Sequence, residues 1–182
     1  MNNIAMIRKK VMQTRKIVCT GNPDNPNKLA SRFKKLFPDA TFIHLSNGWD
    51  LTDHSPTAQA RLKELFSKHN TFINASYIAP GVQEFLLDMY NQSVKIGDVF
   101  NIGSTHEYDE LGKPEYAKSK LELRDKSLRL NTYRFETHHI ILGQILGEEG
   151  LGVDRICSIV PWIMEQSFKV PLICVDQPKV PW

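Results

Sequence analysis

Strand-like and helix-like segments alternate along this chain from residue 16 onward, and this alternation restricts the fold more than any other feature. Short runs rich in β-branched and aromatic residues predict strands, and the longer stretches between them place apolar residues at helical spacing. Alternation of this kind builds a mostly parallel sheet that is covered by helices. We therefore predict the α/β class, with a doubly wound parallel sheet, helices on both faces and three αβα layers.

The predicted elements can be placed along the sequence. The strands are KIVCTG at 16–21, ATFIHLS at 40–46, NTFINAS at 70–76, DVFNIGS at 98–104, NTYRFET at 131–137 and VPLICVD at 170–176, with a very short additional strand in WDLTD at 49–53. The helices are predicted at 29–37, 55–70, 80–93, 113–130 and 153–167. Pro161 is expected to kink or shorten the last of these helices.

Length and composition limit the class of protein. With 182 residues, of which 41% are hydrophobic and 24% charged, the chain fits one soluble globular domain. We expect residues 1–15 to be an N-terminal extension and residues 16–182 to be a single domain. The formal charge of +3 is small for a nucleic-acid-binding protein, and no apolar stretch is long enough to span a membrane. Neither a nucleic acid nor a membrane is therefore expected as a partner.

The cysteines indicate the compartment. Cys19, Cys157 and Cys174 are odd in number, widely spaced and each adjacent to Ile or Val. They are expected to be small buried hydrophobes in a reducing compartment, and the N-terminus lacks the continuous apolar region of a secretory signal. These features predict a cytoplasmic protein. Because no pair of histidines or cysteines has zinc-ligand spacing, no metal site is predicted.

Polar residues follow three of the predicted strands. TGNPDN comes after the first strand, NAS ends the strand at 70–76, and GST ends the strand at 98–104. In an open parallel sheet, ligands bind outside the carboxyl ends of the strands, where the strand order changes direction. We therefore expect these residues to line one crevice.

Ser104, Tyr116 and Lys120 have a spacing that suggests proton transfer. Tyr116 follows Ser104 by twelve residues, and Lys120 lies one helical turn after Tyr116 on the same helix face. Free tyrosine has a pKa of about 10, and a neighbouring ammonium lowers it by favouring the phenolate. A tyrosine and a lysine at this spacing are also common as an ordinary surface pair. None of the other four tyrosines, however, is followed by lysine at this offset.

These landmarks resemble the short-chain dehydrogenase/reductase family over roughly residues 16–176. In that family's order the chain has Thr20 and Gly21 after strand one, Asp50 and Leu51, Asn74 and Ala75, and then Ser104, Tyr116 and Lys120. The resemblance implies a Rossmann-like, NAD(P)-binding domain and an oxidoreductase that interconverts a carbonyl and an alcohol. It also implies a homodimer or homotetramer, in which the helix at 113–130 pairs with its copy through Leu121 and Leu128.

The resemblance further implies a role for each site residue. Tyr116 would be the general acid or base, Lys120 would assist it and hold the nicotinamide ribose, and Ser104 would hydrogen-bond the substrate oxygen. The implied cofactor is NADP or NAD. The residues implied to bind it are Thr20, Gly21, Asn22, Asn25, Ser46, Asp50, Leu51, Asn74, Ala75, Ser76, Tyr116 and Lys120.

The chain departs from the family pattern in its cofactor segments. Gly21 is kept, whereas Asn25 and Asn27 stand where the second and third glycines are expected. Asparagine tolerates a positive φ, so the turn can be kept, but its side chain takes space near the phosphates. The second strand ends in Ser46 and Asn47 in place of an acidic residue. This change removes a repulsion against a 2′-phosphate and favours NADP.

Departures in the catalytic region leave alternatives open. Pro80 and Gly81 occupy the region of the family's helical asparagine, and THHIILGQ replaces the Pro-Gly pair after strand six. One alternative is a catalytically inactive Rossmann-fold protein that has lost normal cofactor binding and serves in binding or interaction. A flavodoxin-like protein would share the sheet, but it has no use for the Ser–Tyr–Lys spacing. Asp50 could contact adenine or cap the following helix, and Trp49 is expected to be a packing residue.

Overall fold

The computed structural model describes residues 15–26, 28–108, 114–132, 134–143, 153–166 and 169–175. Most of the N-terminal extension, Asn27 and the C-terminal residues 176–182 lie outside this part. Six strands of the described residues form one sheet: β1 (Ile17–Thr20), β2 (Thr41–Ile43), β3 (Thr71–Asn74), β4 (Gly97–Ile102), β5 (Phe135–Leu142) and β6 (Leu172–Val175). The order across the sheet is β2-β1-β3-β4-β5-β6, and all neighbours are parallel.

The described helices are α1 (Leu29–Leu36), α2 (Pro56–Ser67), α3 (Val82–Ser93), α4 (Pro114–Leu130) and α5 (Val153–Glu165). Helix α2 begins at the predicted position because Ser55 Oγ accepts a 3.2 Å hydrogen bond from the amide of Ala58, and Pro56 fits the first turn. Two single-turn 3-10 helices, Leu45–Asn47 and Thr105–Tyr108, follow β2 and β4. None of the helices within the described ranges is both long and apolar enough to cross a membrane.

Alternating strand side chains divide the core between the two faces of the sheet. Ile17 and Cys19 of β1 pack on one face with residues of α1 and α5, whereas Val18 packs on the other face. The second face is covered by Leu62 and Phe66 of α2, Leu86 of α3 and Leu123 of α4. Each of these seven side chains is at most 7% exposed. Helices on both faces of a parallel sheet make the predicted doubly wound, three-layer αβα fold.

Three predicted strands differ from the structure. No strand forms at 49–53, where the backbone makes turns. β2 ends at Ile43 because the next residues form the Leu45–Asn47 turn, in which Asn47 Oδ1 accepts a 3.0 Å hydrogen bond from the His44 amide. The strand predicted at 131–137 instead begins at Phe135 and continues to Leu142, through both adjacent histidines.

Two further predictions concern single residues. Helix α5 continues through Pro161 to Glu165. Cys19 and Cys157 are buried, as expected, but Cys174 is exposed. The prediction of burial is wrong for Cys174, which lies on β6, an edge strand of the described sheet.

Candidate functional site

A cavity lies where the strand order changes direction. The chain runs outward from β1 to β2 and then returns to β3 on the other side of β1. At this point the segments that follow β1, β2 and β3 enclose a volume of about 750 Å³. The position and size are those expected for a ligand site in an open parallel sheet.

The residues that the resemblance assigns to the cofactor fall into two groups. Those that line the cavity are Gly21, Asn22 and Asn25 after β1, Ser46, Asp50 and Leu51 after β2, and Ala75 and Ser76 after β3. Those that lie outside its lining are Thr20, Asn74, Tyr116 and Lys120.

Gly21 makes a tight turn against the end of β3. Its φ is +120°, and an added Cβ would lie 2.5 Å from Ser76 Oγ and 2.9 Å from Ala30 Cβ. Thr20 Oγ1 accepts hydrogen bonds of 2.9 Å from the amides of Ala75 and Ser76. Thr20 therefore joins the ends of β1 and β3, and only glycine fits the space between them.

Two asparagines stand where the family has the second and third glycines of the phosphate turn. Asn25 lines the cavity, whereas Asn27 is not among the described residues. Within the described ranges, positive φ values occur at Gly21, Gly48 and Gly81 and at no other residue type. The turn at Asn25 is therefore made without the left-handed conformation that asparagine tolerates.

The Asn74 side chain is buried and forms hydrogen bonds inside the protein. It is 0% exposed, and its Nδ2 donates to the Gln83 carbonyl at 2.9 Å and to Asn101 Oδ1 at 3.0 Å. A buried amide with these partners joins β3 to α3 and β4. It has no side-chain surface in the cavity, in contrast to the role that the resemblance implies.

The segment after β2 supplies a carboxylate and an indole. Asp50 Oδ1 accepts hydrogen bonds from the hydroxyl and the amide of Thr52, and these bonds lower the pKa of the Asp50 carboxyl. Asp50 does not cap α2, because Ser55 has that role. Trp49 packs beside the core but also lines the cavity, and the Arg61 guanidinium lies 3.9 Å from its ring centre.

Tyr116 and Lys120 lie one turn apart on α4, as predicted. Lys120 is only 3% exposed, and its Nζ donates to Gln83 Oε1 at 2.6 Å and to the Ile102 carbonyl at 2.8 Å. The Nζ atom is 5.5 Å from the ring centre of Tyr116 and 5.6 Å from that of Tyr77. The two rings meet edge to face, with centres 4.7 Å apart. Because Tyr77 also lines the cavity, it connects the cavity to the tyrosine–lysine pair.

Burial changes the proton affinities around Lys120. Desolvation lowers the Lys120 pKa to about 8, while the carboxyl groups of Glu84 and Glu107 act in the opposite direction. Burial also raises the pKa of Glu84 and of Tyr77. The Lys120 ammonium is therefore mostly charged at neutral pH and can exchange its proton in a mildly basic range.

Ser104 lies at the carboxyl end of β4, as predicted. Its carbonyl accepts a 3.0 Å hydrogen bond from the Glu107 amide within the Thr105–Tyr108 turn. Ile102, whose carbonyl binds Lys120, is two residues earlier in the chain. The structure thus brings the Ser104 segment and the Lys120 ammonium to the same end of β4.

Several polar residues of this region have no counterpart among the sequence predictions. They are Lys28 and His44 in the cavity lining, Tyr77 beside Tyr116, Gln83 on Lys120, and a buried Glu107–His139 pair. Gln83, Glu107 and His139 act across elements that are distant in sequence, so no local spacing predicts their contacts. The basic character of Lys28 and His44, by contrast, is readable at the ends of TGNPDNPNK and FIH.

One cluster of metal-ligand side chains lies at the opposite end of the sheet. Among the described residues, Asp98, Glu136 and His138 bring ligand atoms within 4.8 Å of one another. Arg15 Nη1 already forms a 2.8 Å ion pair with Asp98, and Lys169 Nζ lies 3.9 Å from Glu136 Oε1. These cations compensate the carboxylates, which makes an ion-pair cluster the simpler description.

Comparisons with solved structures place the fold. No protein-family profile and no curated protein sequence matches the chain. An acetoin dehydrogenase from Enterobacter cloacae superposes with a TM-score of 0.67 at 14% identity, covering 90% of this chain and 94% of that one. A 3-alpha-hydroxysteroid dehydrogenase from a Pseudomonas species, complexed with NADH, gives a TM-score of 0.64 at 15% identity and covers 88% and 94% of the two chains.

A third similar structure supports the same assignment. A short-chain dehydrogenase from Sphingobium yanoikuyae, in complex with NADPH, gives a TM-score of 0.65 at 14% identity, with 87% of each chain covered. Identities at this level establish the fold and leave the chemistry to the site. The chain is a divergent protein with the fold of the short-chain dehydrogenases/reductases.

Proposed function

We propose that the protein is an NAD(P)-dependent oxidoreductase that interconverts a carbonyl and an alcohol, with Ser104, Tyr116 and Lys120 as its catalytic residues. The observation that carries the proposal is the continuity of the cavity with the tyrosine–lysine pair. Tyr77 lines the cavity and contacts the Tyr116 ring, and both rings lie within 5.6 Å of Lys120 Nζ. A ligand that fills the cavity and extends past Tyr77 would reach the Tyr116 phenol.

The cavity fits the adenosine and phosphate part of a dinucleotide. The Gly21 turn has no room for a Cβ and leads to the start of α1, where backbone amides favour an anion. Ser46 and Asp50 would face the adenosine, while Asn22 and Asn25 would lie beside the phosphates. The volume of about 750 Å³ is in the range of cofactor sites.

The chain's own residues would move the proton of the reaction. A bound nicotinamide would supply or accept the hydride. The Tyr116 phenol would give its proton to the carbonyl oxygen or take it from the alcohol, and the Ser104 hydroxyl would hold that oxygen in place. Lys120 makes two hydrogen bonds within the described residues, and an ammonium carries three donors, so one N–H is available to a ribose hydroxyl.

NADP is favoured over NAD by the charges at the adenosine end. Lys28 and His44 both line the cavity, and His44 Nδ1 lies 3.3 Å from Ser46 Oγ. The residue at the end of β2 is not acidic. A 2′-phosphate would gain attraction from a lysine and would meet no carboxylate at the position where one normally selects NAD.

A second candidate function is dinucleotide or nucleotide binding without turnover. The observation that favours it is the burial of Lys120, which is 3% exposed and bonded to Gln83 and Ile102. If these bonds persist in the complex, Lys120 would stabilise α4 against α3 and β4 and would contribute nothing to proton transfer.

A homodimer through α4 completes the proposal. Leu128 on this helix is 40% exposed and is therefore accessible to a second copy of the chain. Sedimentation equilibrium of the full chain and of Leu128→Glu tests the interface. A monomeric wild-type protein at micromolar concentration would exclude it.

Turnover in two matched variants tests the enzyme against the binding protein. NADPH oxidation would be followed with a panel of small aldehydes and ketones for the wild type, Tyr116→Phe and Tyr77→Phe. We expect Tyr116→Phe to lower kcat by about a hundredfold or more. Tyr77→Phe is the control, because it removes the hydroxyl from the other tyrosine beside Lys120, whose ring centre lies 5.6 Å from Nζ. Equal loss in both variants, or NADPH binding without turnover in the wild type, would favour the second candidate.

A further inference from the structure

Glu107 and His139 form an acid–base pair with no access to solvent. Glu107 lies in the Thr105–Tyr108 turn and His139 on β5, and both side chains are 0% exposed. His139 Nε2 and Glu107 Oε2 are 3.2 Å apart. Isolated burial of a carboxylate is strongly unfavourable, so each group stabilises the other in this position.

The backbone at Gly103 is shaped around this pair. A Cβ on Gly103 would lie 2.3 Å from His139 Nε2 and 2.9 Å from its Cε1, so the imidazole packs directly on the glycine backbone. The Glu107 amide donates to the Ser104 carbonyl at 3.0 Å. The His139 imidazole therefore packs on Gly103, the residue before Ser104. The Glu107 amide holds the Ser104 carbonyl from the turn that follows.

Glu107 also acts on the charge of Lys120. The groups around this ammonium are Gln83 and Glu84 of α3, the Ile102 carbonyl of β4, Glu107, Tyr77, and Tyr116 of α4. Of these, Glu84 and Glu107 are the carboxyl groups that offset the effect of burial on the Lys120 ammonium. The Thr105–Tyr108 turn, which carries Glu107, packs on α4, the helix that carries Lys120, and His139 is the partner that holds the Glu107 side chain there.

We propose that Glu107 and His139 are positioning residues of the site: a buried pair that fixes the Ser104 segment and holds a carboxyl group against α4, the helix that carries Lys120. The Glu107 carboxyl group brings an opposite charge to the surroundings of the Lys120 ammonium, and His139 keeps that group in place. The consequences for turnover rest on the proposed function, whereas the effect on Lys120 does not.

The test measures the Lys120 titration directly. The full-length protein would be labelled with 13C-lysine, and the Cε shift of Lys120 would be followed against pH. Its signal would be assigned by its loss in Lys120→Met. We expect Glu107→Gln to lower the titration midpoint by about one pH unit, because an opposite charge is removed from a buried site. Glu64→Gln is the control, since it removes the same charge from an exposed position on α2.

A second variant tests the pair as a unit. His139→Leu leaves the Glu107 carboxylate buried without its partner, which disfavours its charged form. This variant should therefore lower the Lys120 midpoint as Glu107→Gln does, and the double variant should lower it no further than either single change. A Glu107→Gln midpoint equal to that of the Glu64→Gln control would overturn the proposal, even if His139→Leu does not fold. If the wild type shows no turnover, the proposed function fails while this titration still decides the role of the pair. Where turnover is present, Glu107→Gln should reduce kcat and leave the NADPH dissociation constant unchanged.

Discussion

Gln83 bridges Lys120 to the end of β3. Its Oε1 accepts the 2.6 Å hydrogen bond from Lys120 Nζ, and its Nε2 donates to the Asn74 carbonyl at 2.9 Å. The side chain is 1% exposed, so both ends of the amide are used inside the protein. A residue of α3 thereby places the ammonium that the proposed chemistry requires.

Substitution of Gln83 should cost stability at two buried partners. Gln83→Leu leaves Lys120 Nζ and the Asn74 carbonyl each short of one hydrogen bond. We expect the free energy of unfolding to fall by about 2–4 kcal/mol, measured by urea denaturation. Gln92→Leu on the exposed side of the same helix is the control and should change it by about 0.5 kcal/mol or less. Similar losses in both variants would contradict the bridging role.

Alanine substitutions at Gly21 and Gly48 distinguish backbone strain from steric overlap of the added methyl group. Both have a positive φ, but a Cβ at Gly21 would meet Ser76 Oγ at 2.5 Å, whereas none of the described atoms lies within 4 Å of one at Gly48. Gly48→Ala should therefore cost about 1–2 kcal/mol from backbone strain alone. Gly21→Ala should cost about 2 kcal/mol more and also weaken nucleotide binding. Equal unfolding midpoints for the two variants would show that the turn is not tightly packed.

The buried ammonium makes stability depend on pH in a defined direction. Because folding lowers the Lys120 pKa from 10.5 to about 8, the unfolded chain binds more protons between these values. The contribution of Lys120 to stability therefore rises as the pH increases from about 8 to 10.5 and is constant above that range. Relative to Lys120→Met, the wild type should gain up to about 3 kcal/mol across the window.

The control for this dependence lies on the same helix. Lys118 is 75% exposed in its side chain and forms only a 4.0 Å contact with Glu122. Denaturation of Lys118→Met should differ from the wild type by the same amount at each pH. A pH-independent difference between wild type and Lys120→Met would mean that the ammonium is not desolvated in the folded protein.

Cofactor preference should depend on Lys28. Lys28→Gln removes the lysine from the lining of the cavity and should weaken NADPH binding about tenfold, while NADH binding changes little. Lys35→Gln, an exposed lysine in the last turn of α1, is the matched control. Dissociation constants from fluorescence titration check the ratio. An equal loss for both nucleotides would indicate a contact with the pyrophosphate and not with a 2′-phosphate.

Sequence patterns predict those helices and strands whose formation depends on neighbouring residues in the chain. β1, β3 and β4 are short β-branched runs, and α2 carries its own cap at Ser55, so their positions agree with the prediction to within a few residues. The prediction for β5 is wrong in its bounds, because the strand begins at Phe135 and continues through both adjacent histidines to Leu142. In the structure His138 Nδ1 donates to the Val170 carbonyl and His139 pairs with Glu107, which allows both to be buried in a strand.

In the candidate site, too, some features follow from local sequence and others from packing between distant segments. The Tyr116–Lys120 spacing on one helix face and the cavity position of Gly21 are readable from sequence, because helix periodicity and the carboxyl ends of strands determine them. The burial of Asn74 and the Lys120–Gln83 bond arise from packing between distant segments. No spacing in the chain encodes those contacts.

Titration of the full chain with NADPH and NADH, followed by the fluorescence of the bound nicotinamide, tests the central claim most directly. We predict saturable binding of NADPH, weaker saturable binding of NADH, and competition by ADP for the same cavity. Absence of saturation with both nucleotides up to about 1 mM would contradict the claim that the cavity binds a dinucleotide. A dissociation constant of about 1 mM corresponds to a binding free energy of only about −4 kcal/mol.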